Sequence, residues 1–232
     1  MSQDNRLVVT IDGAAGTGKT SVARELARRL GTDCLDTGAM YRAVAVIAVD
    51  QNVDPSDGET LATMVTEQGI RFDWTQSPPP ILLGGKDISV RIRDLDVSAV
   101  VSVVAEQSEI RKVLVEQQRK ISQDHPTLVT EGRDQGSVVF PDAVAQFYLE
   151  AAMSERTKRR LLQLKDSGTN TDAQTVEQDI TSRDKIDSSR EDSPLVCPNG
   201  AMIIDTSDKT MLEVVDIMEQ VVREHLTPID HA

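Results

Sequence analysis

The stretch Val8 to Gly31, VVTIDGAAGTGKTSVARELARRLG, restricts the possible folds of this chain more than any other. The apolar, β-branched run Leu7 to Ile11 reads as a buried strand, and Ser21 to Leu30 puts Val22, Leu26, Arg29 and Leu30 at helical spacing. Between them the pattern G-x-x-x-x-G-K-T is met at Gly13, Gly18, Lys19 and Thr20. Glycines at a strand-to-helix junction leave backbone N–H groups free to converge on an anion, and the helix N-terminus adds about half a positive charge. Lys19 reaches terminal phosphates, and Thr20 offers a hydroxyl to Mg²⁺. A merely flexible surface turn requires none of these groups in this order. The loop Gly13, Ala14, Ala15, Gly16, Thr17, Gly18, Lys19, Thr20 and Ser21 is therefore read as a cradle for a nucleoside triphosphate tail.

Further apolar runs at Cys34–Leu35, Leu128 to Thr130, Gln146 to Leu149 and Met202 to Ile204 fit buried parallel strands. Helical patterns occupy Ala39 to Val49, Val97 to Glu106, Glu109 to Ile121, Glu155 to Leu164, Asp172 to Ser182 and Met211 to Leu226. This alternation predicts an α/β fold, a parallel sheet of five strands covered by helices on both faces, with phosphate ligands at the carboxyl ends of the strands. Ile70 to Ile92 breaks the pattern with short extended runs around Pro78–Pro80 and Gly84–Gly85, which reads as a small antiparallel insertion. Lys165 to Asp172, KDSGTNTD, reads as the tip of a mobile flap, and the final TPIDHA as a frayed tail.

With 39% apolar residues, the 232-residue chain can bury one domain, or a core carrying small insertions. No apolar run approaches the roughly 20 residues that span a bilayer, and the opening MSQDNR lacks the order of a signal peptide, so a cytoplasmic protein with no membrane partner is expected. A net charge of −13 disfavours a nucleic-acid partner. Cys34 and Cys197 read as reduced packing thiols, with a disulfide pair as the alternative.

Basic residues gather in DTGAMYR ending at Arg42, EGRDQG around Arg133, SERTKRR from Arg156 to Arg160, and SRDKIDSSRED with Arg183 and Arg190. On helices such charges are usually solvated, the reading given to Lys158 and Lys165. Arg133 directly follows a buried-strand pattern and Arg42 lies one helical turn past Gly38, which puts both on the rim that holds the phosphate loop. A nucleoside monophosphate attacks with an oxygen already anionic, so its phosphorylation needs charge compensation and water exclusion rather than a general base. An arginine-rich flap supplies both. Glu131 is read either as a partner for the Mg²⁺ water shell or as an ordinary turn carboxylate.

The loop Gly13 to Ser21, DTGAMYR, EGRDQGSVVFPDA and RDKIDSSRED closely resemble bacterial cytidylate kinases, from about Leu7 to about Val222. The resemblance implies a P-loop kinase core (1–36, 106–155 and 195–232), a monophosphate-binding insertion with a small three-stranded sheet (37–105) and a helical lid (156–194). It implies transfer of the γ-phosphoryl group of ATP to CMP or dCMP, with Mg²⁺, by a monomer. By resemblance Arg42 and Arg133 hold the CMP phosphate, Thr37, Arg111, Asp134 and Arg190 read cytosine, and Ser102, Arg183 and Asp187 meet the sugar. Lys19, Arg133, Arg156 and Arg160 are the catalytic candidates. The residue types suit the base: a carboxylate facing the cytosine amino group and guanidinium groups facing its ring acceptors match polarities that uracil reverses. Composition alone reads Ser102 as a core-facing hydroxyl bonded to its own helix. Thr37 stands where serine is commoner in the family, Ala14 replaces a proline, and Gln135 replaces an apolar residue.

Two rivals compete. A GTP-dependent switch protein is hinted at by DKID at Asp184 to Asp187, but asparagine is missing from that signature and D-x-x-G occurs nowhere in the chain. A kinase for another monophosphate or a small metabolite is the nearer alternative.

Overall fold

The computed structural model describes residues 7–166 and 168–226; the MSQDNR opening and the TPIDHA tail lie outside them. The chain begins β1 (Leu7–Gly13), α1 (Lys19–Leu30), β2 (Asp33–Asp36), α2 (Thr37–Asp50) and α3 (Gly58–Gln68). It continues with β3 (Ile70–Phe72), β4 (Ile81–Leu83), β5 (Lys86–Asp87), α4 (Leu95–Glu106), α5 (Ser108–Asp124) and β6 (Thr127–Gly132). A π-helical turn over Gln135–Val139 leads to β7 (Ala145–Glu150), α6 (Met153–Asp166), α7 (Ala173–Ser189), β8 (Met202–Asp205) and α8 (Met211–Leu226).

The expected parallel sheet is present as β2-β6-β1-β7-β8. Its central strand β1 pairs in parallel with β6 (Val9 opposite Val129) and with β7 (Val9 opposite Ala145). Alternation along β1 divides the interior. Val9 and Ile11 join Val22, Leu26, Phe147 and Met218 in the core under α1 and α8, while Thr10 and Asp12, both fully buried, take the other positions of the alternation. A second core joins Leu35, Met40, Val44, Ile47, Leu61, Leu114 and Leu128, tying α2, α3 and α5 to the sheet. Each of these fully buried side chains contributes roughly 1.5–3 kcal/mol of transfer free energy.

The insertion forms the antiparallel sheet β3-β4-β5, with Gly84–Gly85 as the two-residue turn between Leu83 and Lys86. Helix α3 is absent from the sequence reading. Its signals are terminal: Asp57 caps it by accepting from Thr60 N at 3.1 Å, and Gly69 ends it. Helix α7 runs past Ser182 to Ser189, so Arg183, Asp184 and Asp187 sit on a helix and not in a turn. Both cysteines are free; Cys34 is half-buried, as expected of a packing thiol, whereas Cys197 is exposed on the segment between α7 and β8.

Candidate active site

The loop after β1 must turn tightly against β7. A Cβ on Gly13 would lie 2.3 Å from the Leu149 carbonyl oxygen, so no larger residue fits there. Helix α1 starts at Lys19, whose ammonium donates to the Ala14 carbonyl at 2.7 Å. Burial, with Arg133 adding to it, pushes the Lys19 pKa down to about 7. Thr20 Oγ1 donates to Glu131 Oε1 at 2.6 Å, and burial together with Asp36 raises that carboxyl to about 7. Glu131 is therefore joined to the phosphate loop and is more than a turn carboxylate. Among the described residues no cluster of three or more His, Cys, Asp or Glu side chains can hold a metal ion. Oxygen donors at Thr20 and Glu131 fit Mg²⁺ all the same, because that ion keeps most of its waters and takes its other ligands from substrate phosphates.

The neighbouring strand β6 delivers Arg133 and Asp134 to the same edge, with Gly132 opposite Asp12 in register. Arg133 Nε donates to Asp187 Oδ2 at 2.8 Å, and Arg190 lies 3.6 Å from the other oxygen. Burial opposes ionisation of Asp187, but Arg133 and Arg190 outweigh it and hold its pKa below the usual carboxylate value. Arg42 donates to Ser98 Oγ at 2.9 Å and to Ile92 O at 3.3 Å, while Arg183 donates to Ser98 O at 3.3 Å. Burial, then the neighbouring Arg183, Arg160 and Arg133 charges, lowers Arg42 to about 10. Burial and the same neighbouring guanidinium charges also lower Arg183, and guanidinium groups gathered this closely are the kind of charge that a polyanion offsets. Ser102 lies on α4 one turn beyond Ser98, half-buried.

Beside this cluster Arg111 pairs with Asp134, both buried, and lies 5.4 Å from the centre of the Tyr41 ring. Arg111 Nε, Arg190 Nη2 and Tyr41 OH are buried without a hydrogen-bond partner among the described residues. Such donors are costly unless something planar and polar meets them. Thr37 spends its hydroxyl proton on Glu131 O at 2.7 Å, so it can face a base only as an acceptor.

Helices α6 and α7 close over the phosphate loop. Arg156 donates to Ala15 O at 3.2 Å and pairs with Asp184, which also accepts from Ala15 N at 3.3 Å. Arg160 donates to Gln163 at 3.5 Å, and its charge adds to that around Arg42 and Arg183. Lys158, as expected, is a solvated charge.

The family model for cytidylate kinase matches residues 9–224. The chain belongs to the cytidylate kinase family. A cytidylate kinase of Caldanaerobacter subterraneus subsp. tengcongensis is 41% identical over 217 residues, covering 94% of this chain and 95% of that protein. One from Nocardia farcinica is 41% identical over 227 residues and covers 98% of both. The solved structure of a gluconokinase from Sinorhizobium meliloti superposes with a TM-score of 0.50 at 10% identity, covering 96% of this chain and 94% of that one, a likeness of fold alone.

Within this cytidylate kinase fold, three side chains of interest carry no role in the sequence reading. Arg159 donates to Thr206 O at 2.6 Å, to Thr206 Oγ1 at 2.9 Å and to Thr17 O at 3.3 Å, so it ties α6 to the phosphate loop and to the segment after β8. Its signal was the i, i+3, i+4 spacing of Arg156, Arg159 and Arg160, which puts all three on one helical face. Tyr41 and Asp184 lie inside motifs quoted for other residues. Their contacts come from elements distant in sequence, which spacing cannot reveal.

Proposed function

We propose that this cytidylate-kinase-family enzyme transfers the γ-phosphoryl group of ATP to CMP or dCMP, giving CDP or dCDP and ADP, with the loop 13–21 as donor cradle and the Arg133–Asp134 turn as acceptor side. The observation that carries this reading is the adjacency of two anion-binding turns at the carboxyl ends of paired parallel strands, with Asp12 opposite Gly132. Arg42 and Arg133 take the acceptor phosphate; Lys19, Arg156 and Arg160 offset the charge spread over the transferred group. Arg111, Asp134, Arg190 and Thr37 read the base, a role supported by the unpartnered donors on Arg111 and Arg190. Ser102, Arg183 and Asp187 meet the sugar. Mg²⁺, when bound at Thr20 and through water at Glu131, supplies charge neutralisation for the phosphates. The acceptor oxygen is already anionic, so no residue is assigned as a base.

The division into core (1–36, 106–155, 195–232), insertion (37–105) and lid (156–194) accompanies this reading, supported by the separate small sheet of β3 to β5. A monomer acting in the cytoplasm on small nucleotides, without nucleic acid or membrane, completes it. No helix among the described residues is long and apolar enough to cross a membrane.

An acceptor panel tests the function. Efficiency (kcat/KM) for CMP should exceed that for UMP or AMP by more than the ~1–3 kcal/mol of one bidentate contact, because uracil leaves buried polar groups mispaired. Asp187→Ala should penalise CMP more than dCMP, since dCMP lacks the 2′-hydroxyl that this carboxylate accepts from. A parent enzyme preferring UMP or AMP overturns the substrate assignment, and an unchanged CMP-to-dCMP ratio in the variant removes only the sugar role of Asp187. For the lid, amide exchange over 156–194 should slow when ATP-analogue and CMP are bound together, beyond either alone. Equal exchange in free and ternary states would count against a closing flap.

A further inference from the structure

We propose that Asp12 is a positioning residue for base selection: its carboxylate caps the turn that Asp134 begins, which leaves the Asp134 carboxylate to Arg111 and the base. The inference rests on the reading of Asp134 as a base contact. It gives a role to a fully buried carboxylate that the transfer step does not use.

Asp134 stands immediately before the π-helical turn, and its carbonyl accepts from Val138 N at 2.9 Å and Val139 N at 3.1 Å, the bonds of a capping residue. An aspartate in that place ordinarily turns its side chain back to accept from one of the first N–H groups of the turn. Asp134 makes no such bond. Those donors are taken by a carboxylate on the neighbouring strand: Gln135 N donates to Asp12 Oδ1 at 2.8 Å and Gly136 N to Asp12 Oδ2 at 2.7 Å. With the N–H groups satisfied, Asp134 pairs with Arg111 instead. Charge acts in the same sense. Burial raises Asp12 to about 6 against the pull of the two backbone donors, and the Asp134 charge adds to the rise. That repulsion disfavours an Asp134 carboxylate turned back toward the occupied donors.

The backbone around this clasp explains why its loss should reach the acceptor and spare the donor. Asp12 lies opposite Gly132 on β6 and Tyr148 on β7, so its main chain is paired on both sides and the path into the loop 13–21 does not depend on its side chain. Gly136 lets the turn come close to β1: a Cβ there would lie 2.8 Å from Pro198 Cγ and 3.0 Å from Thr10 Oγ1. Without the Asp12 carboxylate, Gln135 N and Gly136 N become buried donors in need of an acceptor, and the Asp134 carboxylate is the one next to them in the chain. Meeting that need draws it away from Arg111 and the base.

The test measures kcat/KM for CMP and UMP, KM for ATP and thermal stability in Asp12→Ala, Asp12→Asn, Asp134→Ala and the double variant Asp12→Ala/Asp134→Ala. Asp12→Ala should reduce the CMP-to-UMP ratio about tenfold through a raised KM for CMP, with KM for ATP within about twofold of the parent. Asp12→Asn keeps one acceptor oxygen but sets an N–H group against the other backbone donor, so it should reduce the ratio about threefold. It also carries the test, alone and combined with Asp134→Ala, if the alanine variant does not fold. Asp134→Ala should reduce the ratio more than either. In its background a change at Asp12 should move the ratio less than about twofold, because the carboxylate that Asp12 positions is gone. If Asp134→Ala collapses the ratio while both Asp12 variants leave it intact, the positioning role is overturned. Asp12 variants that lose CMP, UMP and ATP efficiency equally would also overturn it, since that is the signature of a structural role, as would a fall of the same size in the absence of Asp134. An unchanged ratio in Asp134→Ala refutes the base-reading assignment itself.

Discussion

Lys19→Ala should lower phosphoryl transfer by about a thousandfold or more and leave a folded protein. The magnitude follows from what surrounds the ammonium. Lys19 is buried, and the same burial that brings its pKa to about 7 lowers the local dielectric and strengthens its attraction for phosphate oxygens. In this structure its donors go to the Ala14 carbonyl at 2.7 Å and, at 3.5 Å, to the Thr17 hydroxyl. Those are weak, neutral acceptors that an anionic oxygen outcompetes. The fold should tolerate the change because the variant removes a buried cation that Arg133 already repels. Steady-state kinetics alongside a thermal melt checks both halves. Near-normal turnover would refute the assignment of the phosphate loop as catalytic.

Arg133→Ala should weaken CMP by ~2–4 kcal/mol while changing ATP affinity much less. Arg133 is placed by the end of β6 and oriented by its 2.8 Å bond to Asp187, and that carboxylate and Glu131 outweigh burial to raise its pKa above the usual guanidinium value. Removing it deletes a charge-assisted contact to the proposed acceptor phosphate and leaves Asp187 to the longer pair with Arg190, at 3.6 Å, and the more distant Lys19 charge. Arg133→Lys separates the two contributions: the charge is kept but the two-pronged fork is lost, so part of the affinity should return. Calorimetric titration with CMP and with an ATP analogue reads the result. Equal losses for donor and acceptor would move Arg133 away from the acceptor phosphate.

Much of the fold was legible because its strands are short, apolar and β-branched. Each of the five runs read from sequence, from Leu7 to Met202, lies within a strand of the main sheet. Helix α3 escaped notice because Leu61, Ala62 and Val65 present only one buried turn between polar residues, leaving its caps as the stronger signal. The extension of α7 escaped for a related reason. Ser188, Ser189 and the charges before them read as a turn by composition, whereas Ile180 and Asp187 are held in helix by what they are buried against. The site divides in the same way. Groups one strand end or one helical turn from the phosphate loop could be placed by spacing. The pairing of Arg111 with Asp134, of Arg156 with Asp184, and the anchoring of Arg159 on Thr206 depend on how helices cross the sheet, which no local pattern records.

The parallel pairing of β1 with β6 makes the sheet a ruler for the reaction. Hydrogen-bonded neighbouring strands lie about 4.8 Å apart, and here the donor loop leaves one of them just past Asp12 while the acceptor turn leaves the other just past Gly132. With the two loops in the proposed roles, the gap between the reactants is set by the backbone hydrogen bonds that pair β1 with β6, among the fully buried Val9, Ile11, Leu128 and Val129, and is in place before either nucleotide arrives. Closure of the proposed lid, 156–194, would wet or dry that gap without rescaling it. A slip of a single residue between these strands would turn Asp12 from the side that holds Gln135 to the side packed under α1, undoing the spacing and the core together. The length standard for transfer is thus protected by the same register that keeps the protein folded.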